Sequence, residues 1–147
     1  MQLLRNLLSF GPSRAEMVHF WILFCRSVLE QSCVVWHSSL TQENSEDLER
    51  TQKTFVRLVL KQEYVSYIDG LEKLNLDLLS DRREQISLNF AKDGLKYGTL
   101  SDVLKKNEKT HDMETRKSEP FDVNFANNER MKKSSVVYLQ NLLNNEK

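Results

Sequence analysis

The chain has 147 residues, and its 21 Lys and Arg balance 21 Asp and Glu, so the formal net charge is zero. This length is typical of one domain, and a neutral chain has no overall field that would attract nucleic acid or an acidic membrane surface. Such binding would therefore require a local cluster of like charges. With only 4 Gly and 2 Pro, and with apolar residues at helical spacing, the sequence favours helices and argues against a β-sandwich or barrel.

The N-terminal part predicts two helices. Leucines share one face of residues 2 to 9, and the breakers in "FGPS" end this first helix. Ser13 and Glu16 then form a capping box that starts a helix from about residue 14 to 32. Apolar residues cover much of this second helix, so we expect it to be central, with part of the surface of residues 17 to 29 left for a partner.

A third helix is predicted from a cap at Thr41 to about residue 61. Its second half is cationic, which suits the negative end of the helix dipole. The apolar residues expected to face inward are Leu48, Phe55, Val56, Leu58 and Val59. The charged residues expected to face water are Glu49, Arg50, Lys53, Arg57 and Lys61.

Shorter elements are predicted in the next part of the chain. A short helix begins near Tyr67 and stops at Asn75, and Ser80 is the predicted cap of a helix that continues to about residue 96. A helix of one or two turns is expected after Ser101.

From residue 105 to 134 the chain is polar, and we expect it to be extended or partly disordered. The stretch "SSVVYLQNLL" then predicts a short amphipathic helix. The predicted fold class is therefore all-α: a small bundle of about four to five helices over residues 1 to 104, followed by a largely extended polar tail, 105 to 147, that ends in a short helix.

No common catalytic or metal-binding pattern occurs: the sequence has no Gly-rich phosphate loop, HExxH, GxSxG or paired CxxC. No two aspartates are adjacent to hold catalytic metal ions. Cys25 and Cys33 are predicted to be buried, reduced thiols. Neither a secretion signal nor an apolar run of about 20 residues is present. We therefore predict no catalytic residue, metal or cofactor, and an intracellular location, either nuclear or cytoplasmic.

Trp36 and His37 stand side by side where one helical pattern stops and the next begins. His37 could act as a general base only with an orienting partner and a pocket, which the sequence does not identify. Alternatively, the indole buries a large apolar area, and the two ring N–H groups satisfy backbone groups at the end of the preceding helix. The second interpretation makes the pair an architectural join between helices.

Four segments in this order resemble the region beyond the polymerase core in reverse transcriptases of jockey-like non-LTR retrotransposons. They are "SVLEQSCVVWHSSLT", "SEDLERTQKTFVRLVL", "LEKLNLDLLSDRREQISLNFAKDGLK" and "ETRKSEPFDVNFANNERMKKSSVVYLQNLLN". The first two contain the family's Val-Leu-Glu, Trp-His, Leu-Thr and Leu-Glu-Arg-x-Gln-Lys patterns. The matching residues taken as structural hallmarks are Trp36, His37, Thr41, Leu48 and Glu49.

The resemblance implies a thumb-side, C-terminal fragment of an RNA-directed DNA polymerase from a mobile element. The palm, with its metal-binding aspartates, lies outside such a fragment, so the chain would be non-catalytic. It would support template and primer binding, with an RNA–DNA hybrid or the palm domain of the parent polyprotein as partners. The candidate phosphate-contacting residues are Arg50, Lys53, Arg57, Lys61, Arg82 and Arg83.

Other interpretations of the same residues stay open. The cations could simply form a solvated helix face. The chain could instead be a small helical interaction module retained by a host, which uses the apolar surface of residues 17 to 29 for self-association or for a partner helix. An autonomous enzyme that depends on His37 is the third hypothesis.

Overall fold

The computed structural model describes residues 2–106, 120, 121 and 123–146, and within these residues it contains eight helices and no strand. The predicted all-α class is therefore confirmed. The helices are α1 (Gln2–Leu8), α2 (Arg14–Glu30), α3 (Cys33–Ser39), α4 (Gln42–Leu60), α5 (Tyr67–Leu74), α6 (Leu79–Lys96), α7 (Glu129–Lys132) and α8 (Ser135–Asn145). A π-helical stretch, Trp21–Arg26, lies inside α2, and α3 ends in a 3₁₀ turn.

The chain forms two compact units. The first contains Met1–Ser32 and Leu40–Arg83, and the second contains Cys33–Ser39 and Glu84–Lys147. This division does not coincide with the predicted boundary after residue 104, because residues on both sides of that point share the core of the second unit. Of the predicted extended segment, 105 to 134, residues 107–119 and 122 lie outside the described residues.

The first unit has a core of aromatic and aliphatic side chains. Trp21 stacks on Phe55 with ring centroids 4.5 Å apart, and both side chains are fully buried. Gly70 of α5 lies directly against Val56 of α4, since a Cβ at this glycine would be 2.4 Å from a Val56 methyl group. The helices pack closely here because position 70 has no side chain. The other buried apolar members are Leu4, Met17, Leu60, Leu71, Leu74 and Leu76.

Local caps set most helix ends in the first unit. The Ser13–Glu16 capping box is confirmed, and Thr41 accepts a hydrogen bond from the N–H of Asn44 at the start of α4. The stop predicted at Asn75 is confirmed, and this residue adopts the left-handed conformation with φ 51°. The prediction that Ser80 caps the next helix was wrong, because α6 already begins at Leu79.

The second unit has a smaller core, in which Ala91 and Leu104 pack with Phe121, Leu139 and Leu143. The predicted terminal helix is confirmed as α8. The short helix predicted after Ser101 is absent, because residues 97–103 form successive turns and residue 104 is a bend. The short helix α7 was not predicted.

Amide side chains of α8 hold an extended segment of the second unit. Asn144 accepts a hydrogen bond from the N–H of Phe121 (2.9 Å) and donates one to its carbonyl (3.1 Å). The buried Gln140 accepts from the N–H of Asn124 (3.1 Å) and donates to the carbonyl of Val103 (3.4 Å). These two side chains satisfy backbone groups of an irregular segment, in which Phe121 also forms an isolated antiparallel bridge with Lys106.

Candidate nucleic-acid interface

The predicted cations of α4 lie on one face of the helix. Arg50, Lys53 and Arg57 are three and four residues apart, the spacing that places side chains on the same side of an α-helix. Lys61 follows at the C-terminal cap of α4, where its N–H donates to the carbonyl of Arg57. The buried side chains of the same helix are Gln52, Phe55, Val56 and Leu60.

Two of these cations have weak partners on the surface. Arg50, with a side chain 72% exposed, pairs with Asp47 one turn earlier at 2.5 Å. Arg57 is exposed and lies over the ring of Tyr64, 5.1 Å from its centroid. Exposed pairs of this kind contribute less than about 1 kcal/mol. A phosphate group could therefore displace either contact at low cost.

The other two cations have no side-chain partner within the described part of the chain. Lys53 is half-buried and Lys61 is exposed. Their charges lie in the C-terminal half of α4, where the helix dipole favours cations. The four residues thus form a row of positive charge on a chain whose net charge is zero.

Glu49, directly before Arg50, and Gln52, directly before Lys53, are directed into the first unit. The Glu49 carboxylate accepts a hydrogen bond from the hydroxyl of Tyr67 (2.6 Å) and another from the N–H of Ser80 (2.8 Å). Gln52 is fully buried and donates to the carbonyl of Asp77 (2.8 Å). The prediction that Glu49 faces water was wrong, because its carboxylate satisfies a free N–H in the first turn of α6.

Tyr67 is the third member of this hydrogen-bonded group. Burial raises the pKa of Tyr67 well above its usual range, and the hydrogen bond to the Glu49 carboxylate raises it further. The hydroxyl therefore stays protonated and keeps donating to Glu49. The sequence does not predict Tyr67 or Gln52 in this arrangement, although the position of Gln52, three residues before the inward-facing Phe55, is a signal that its side chain also faces inward.

The structure does not place Arg82 and Arg83 with the α4 cations. Arg82 donates to both oxygens of the Glu30 carboxylate, from Nε at 2.7 Å and from one terminal nitrogen at 3.2 Å, and this contact raises the pKa of Arg82. Arg26 lies 3.8 Å from the same carboxylate. Arg83 is fully buried and donates to the Ser45 hydroxyl at 3.4 Å. A phosphate on the surface could not reach Arg83 while the first unit is folded.

Trp36 and His37 belong to the second unit. Trp36 is half-buried at the end of the α-helical turn of α3, and its carbonyl accepts from the Ser39 hydroxyl (2.8 Å). His37 packs edge-on against Tyr138 of α8, with centroids 5.5 Å apart. The next residue, Ser38, donates to the carbonyl of Lys133 at 2.8 Å. These contacts connect α3 with the C-terminal part of the chain, and the architectural join between the helices on either side of the pair stays a prediction.

No group of three or more His, Cys, Asp and Glu side chains in the described part of the chain could hold a metal ion. Cys33 is buried, and burial raises the pKa of the Cys25 thiol. Within the same residues no single helix is long and apolar enough to cross a membrane, although α2 and α3 taken together reach that length and composition.

Comparison of the chain with protein-family models, with curated proteins and with solved structures finds no match. The resemblance to reverse transcriptases therefore rests on the ordered sequence patterns alone.

Proposed function

We propose that this chain is a non-catalytic helical module that holds nucleic acid through phosphate contacts made by α4. This role is the one implied by its resemblance to the thumb-side region of jockey-like reverse transcriptases. The observation that carries the proposal is the row of Arg50, Lys53, Arg57 and Lys61 on one side of α4. In a full-length element, catalysis would belong to the palm, and this module would grip the RNA–DNA hybrid beside it.

The row has a length that suits a nucleic-acid backbone. Eleven residues separate Arg50 from Lys61, which corresponds to roughly 16 Å at the helical rise of about 1.5 Å per residue. Phosphates follow one another at about 3.4 Å of axial rise along each strand of a DNA duplex. The row can therefore contact several phosphates of one strand at the same time.

The inner face of α4 gives the row a fixed support. Gln52 is tied to the backbone of Asp77, and Glu49 is tied to Tyr67 and Ser80. These contacts hold α4 against the segment that leads into α6, so the cations are presented on a rigid helix rather than on a loop. In the family pattern Leu-Glu-Arg-x-Gln-Lys, Glu49 and Gln52 therefore support the helix, and the residues that follow each of them are the cations.

Binding of a labelled RNA–DNA hybrid, measured by fluorescence anisotropy across a salt series, tests the proposal. Four phosphate contacts predict that log K falls against log salt with a slope of about −3.6. The double variant Arg50→Ala with Lys53→Ala should reduce this slope by about 2.

A matched control is the double variant Arg5→Ala with Arg130→Ala, which removes two exposed arginines outside α4. This control should leave the slope near the wild-type value. Absence of binding at low salt, or an equal loss of slope in both double variants, would refute the α4 interface.

A second candidate function, protein interaction, is favoured by apolar side chains exposed on α2. Leu23, Phe24 and Val28 are 65%, 59% and 69% exposed. An exposed apolar cluster of this kind is typical of an interaction surface. Sedimentation of the wild type and Phe24→Asp over a concentration series tests this candidate. Self-association that the variant abolishes supports it, whereas a monomer at all concentrations argues against self-association through α2.

A further inference from the structure

The surface of α4 is divided along its length by charge. Residues 42–49 contain four acidic residues and no Lys or Arg, whereas residues 50–61 contain four cations and no Asp or Glu. One of the four acids, Glu49, is directed into the first unit and accepts hydrogen bonds from Tyr67 and Ser80. The other three are exposed, and they are Glu43, Glu46 and Asp47. A negative half therefore precedes the positive half of the same helix.

The three exposed acids share the face of the helix that carries the cations. Asp47 lies four residues after Glu43 and three residues before Arg50. Glu46 lies four residues before Arg50, so all of these side chains are on the same side of the helix. Asp47 contacts Arg50 directly, at 2.5 Å. A strand that follows the cationic row towards the start of α4 would therefore pass over the acidic half.

The acidic half also offsets the positive end of the helix dipole. The free N–H groups at the start of a helix attract phosphate, but here the N–H of Asn44 already donates to the Thr41 hydroxyl. Glu43 lies in the first turn of α4 and Glu46 one turn later, where negative charge stabilises the helix. The same charges repel a phosphate. The start of α4 is therefore unsuited to a nucleic-acid backbone, although a helix usually attracts phosphate at this end.

We propose that Glu43, Glu46 and Asp47 confine nucleic-acid contact to the C-terminal half of α4, so that a bound strand ends or turns away at Arg50. This inference rests on the proposed function and adds the boundary of its site. The three carboxylates repel phosphates within about 10 Å, the distance over which charges interact at about 0.1 M salt. The usable length is then the roughly 16 Å of the cationic row, or about five phosphates at about 3.4 Å each.

The test compares the wild type with a triple variant, Glu43→Gln with Glu46→Gln and Asp47→Asn, for binding of an RNA–DNA hybrid of about 20 base pairs, which is longer than α4. Fluorescence anisotropy should show about fivefold tighter binding by the triple variant at about 10 mM salt, and a smaller gain at about 150 mM, because salt screens the repulsion. In NMR spectra of the wild type, the hybrid should shift the backbone amides of residues 50–61 and leave those of residues 42–47 unchanged. In the triple variant both sets should shift.

The matched control makes the same change in net charge at three exposed acids outside α4, by Glu72→Gln with Glu84→Gln and Asp93→Asn. It should bind within about twofold of the wild type, because these charges are not on the face of the cationic row. The double variant Glu43→Gln with Glu46→Gln keeps the contact between Asp47 and Arg50. It should still bind about threefold more tightly than the wild type, which separates repulsion from release of Arg50. Far-UV circular dichroism checks that every variant is folded.

The outcomes separate this inference from the proposed function. If hybrid binding requires Arg50 and Lys53 but the triple variant binds no more tightly than the wild type, the inference is overturned and the proposed function stands. An equal gain in the matched control, or shifts of residues 42–47 in the wild type, would overturn the inference in the same way. If neither the wild type nor the triple variant binds the hybrid at the lower salt, the proposed function fails and the inference fails with it.

Discussion

The two compact units use inward-facing polar side chains differently. In the first unit, Glu49 and Gln52 add hydrogen bonds to a core that is already built from stacked aromatics and regular helices. In the second unit, Gln140 and Asn144 bind backbone groups of a segment that has no regular structure of its own. These polar side chains therefore add to regular secondary structure in the first unit, whereas in the second unit they hold an irregular segment in place.

This difference has a consequence for stability. The first unit should depend most on apolar burial, whereas the extended segment of the second unit should depend on individual amide hydrogen bonds. Substitutions that remove one kind of contact should therefore affect mainly one unit.

The largest effect is expected for Phe55→Ala in the first unit. It removes a fully buried ring that stacks on Trp21, so the free energy of unfolding should fall by about 4 kcal/mol. Urea unfolding followed by circular dichroism measures the change. Leu23→Ala, which truncates a side chain that is 65% exposed, is the control and should change it by less than about 0.5 kcal/mol. Equal losses in the two variants would contradict a core centred on Trp21 and Phe55.

A smaller and more local effect is expected for Gln140→Ala in the second unit. The change leaves the N–H of Asn124 and the carbonyl of Val103 without their partner, at a cost of about 2 kcal/mol. Hydrogen exchange should show faster exchange at the Asn124 amide and unchanged protection in α4. Asn141→Ala, an exposed neighbour on α8, should alter neither. Unchanged exchange at Asn124 in Gln140→Ala would show that the amide does not hold the segment.

Tyr67→Phe should have a still smaller effect that depends on pH. Loss of the hydrogen bond to Glu49 should cost about 1 to 2 kcal/mol near neutral pH. Because the pKa of Tyr67 is raised in the folded chain, the native state keeps a proton that the unfolded state loses above about pH 10. Wild-type stability should therefore fall as the pH rises beyond about 10, and Tyr67→Phe should flatten this fall.

Urea unfolding at two pH values on either side of about 10 measures the slope for each variant. Tyr97→Phe, whose ring is 71% exposed, should leave the slope unchanged. If the fall of stability with pH persists in Tyr67→Phe, other groups cause it.

Local signals in the sequence account for the parts of the fold that were predicted correctly. Three helix ends depend only on residues a few positions away, so they can be predicted from the sequence. They are set by the Ser13–Glu16 capping box, the Thr41 cap and the left-handed Asn75. Apolar periodicity likewise predicted α2, α4 and the terminal helix α8.

The parts that were missed depend on contacts distant in sequence. Arg82 looks solvent-exposed beside Arg83, yet its partner Glu30 is 52 positions away. The inward direction of Glu49 depends on Ser80, 31 positions later. No periodic pattern contains such information, which is why only four of the six predicted cations form the candidate interface.

The proposed interface requires that neighbouring residues of α4 divide into those that support the helix and those that bind nucleic acid. A comparison of Glu49→Ala with Arg50→Ala tests this division. For each variant, the free energy of unfolding and the affinity for an RNA–DNA hybrid at low salt are measured. Glu49→Ala should lose about 2 to 3 kcal/mol of stability, because the Tyr67 hydroxyl and the Ser80 N–H lose their acceptor. Arg50→Ala should change stability by less than about 0.5 kcal/mol and weaken hybrid binding roughly fivefold. Unchanged affinity in Arg50→Ala, or unchanged stability in Glu49→Ala, would contradict this division.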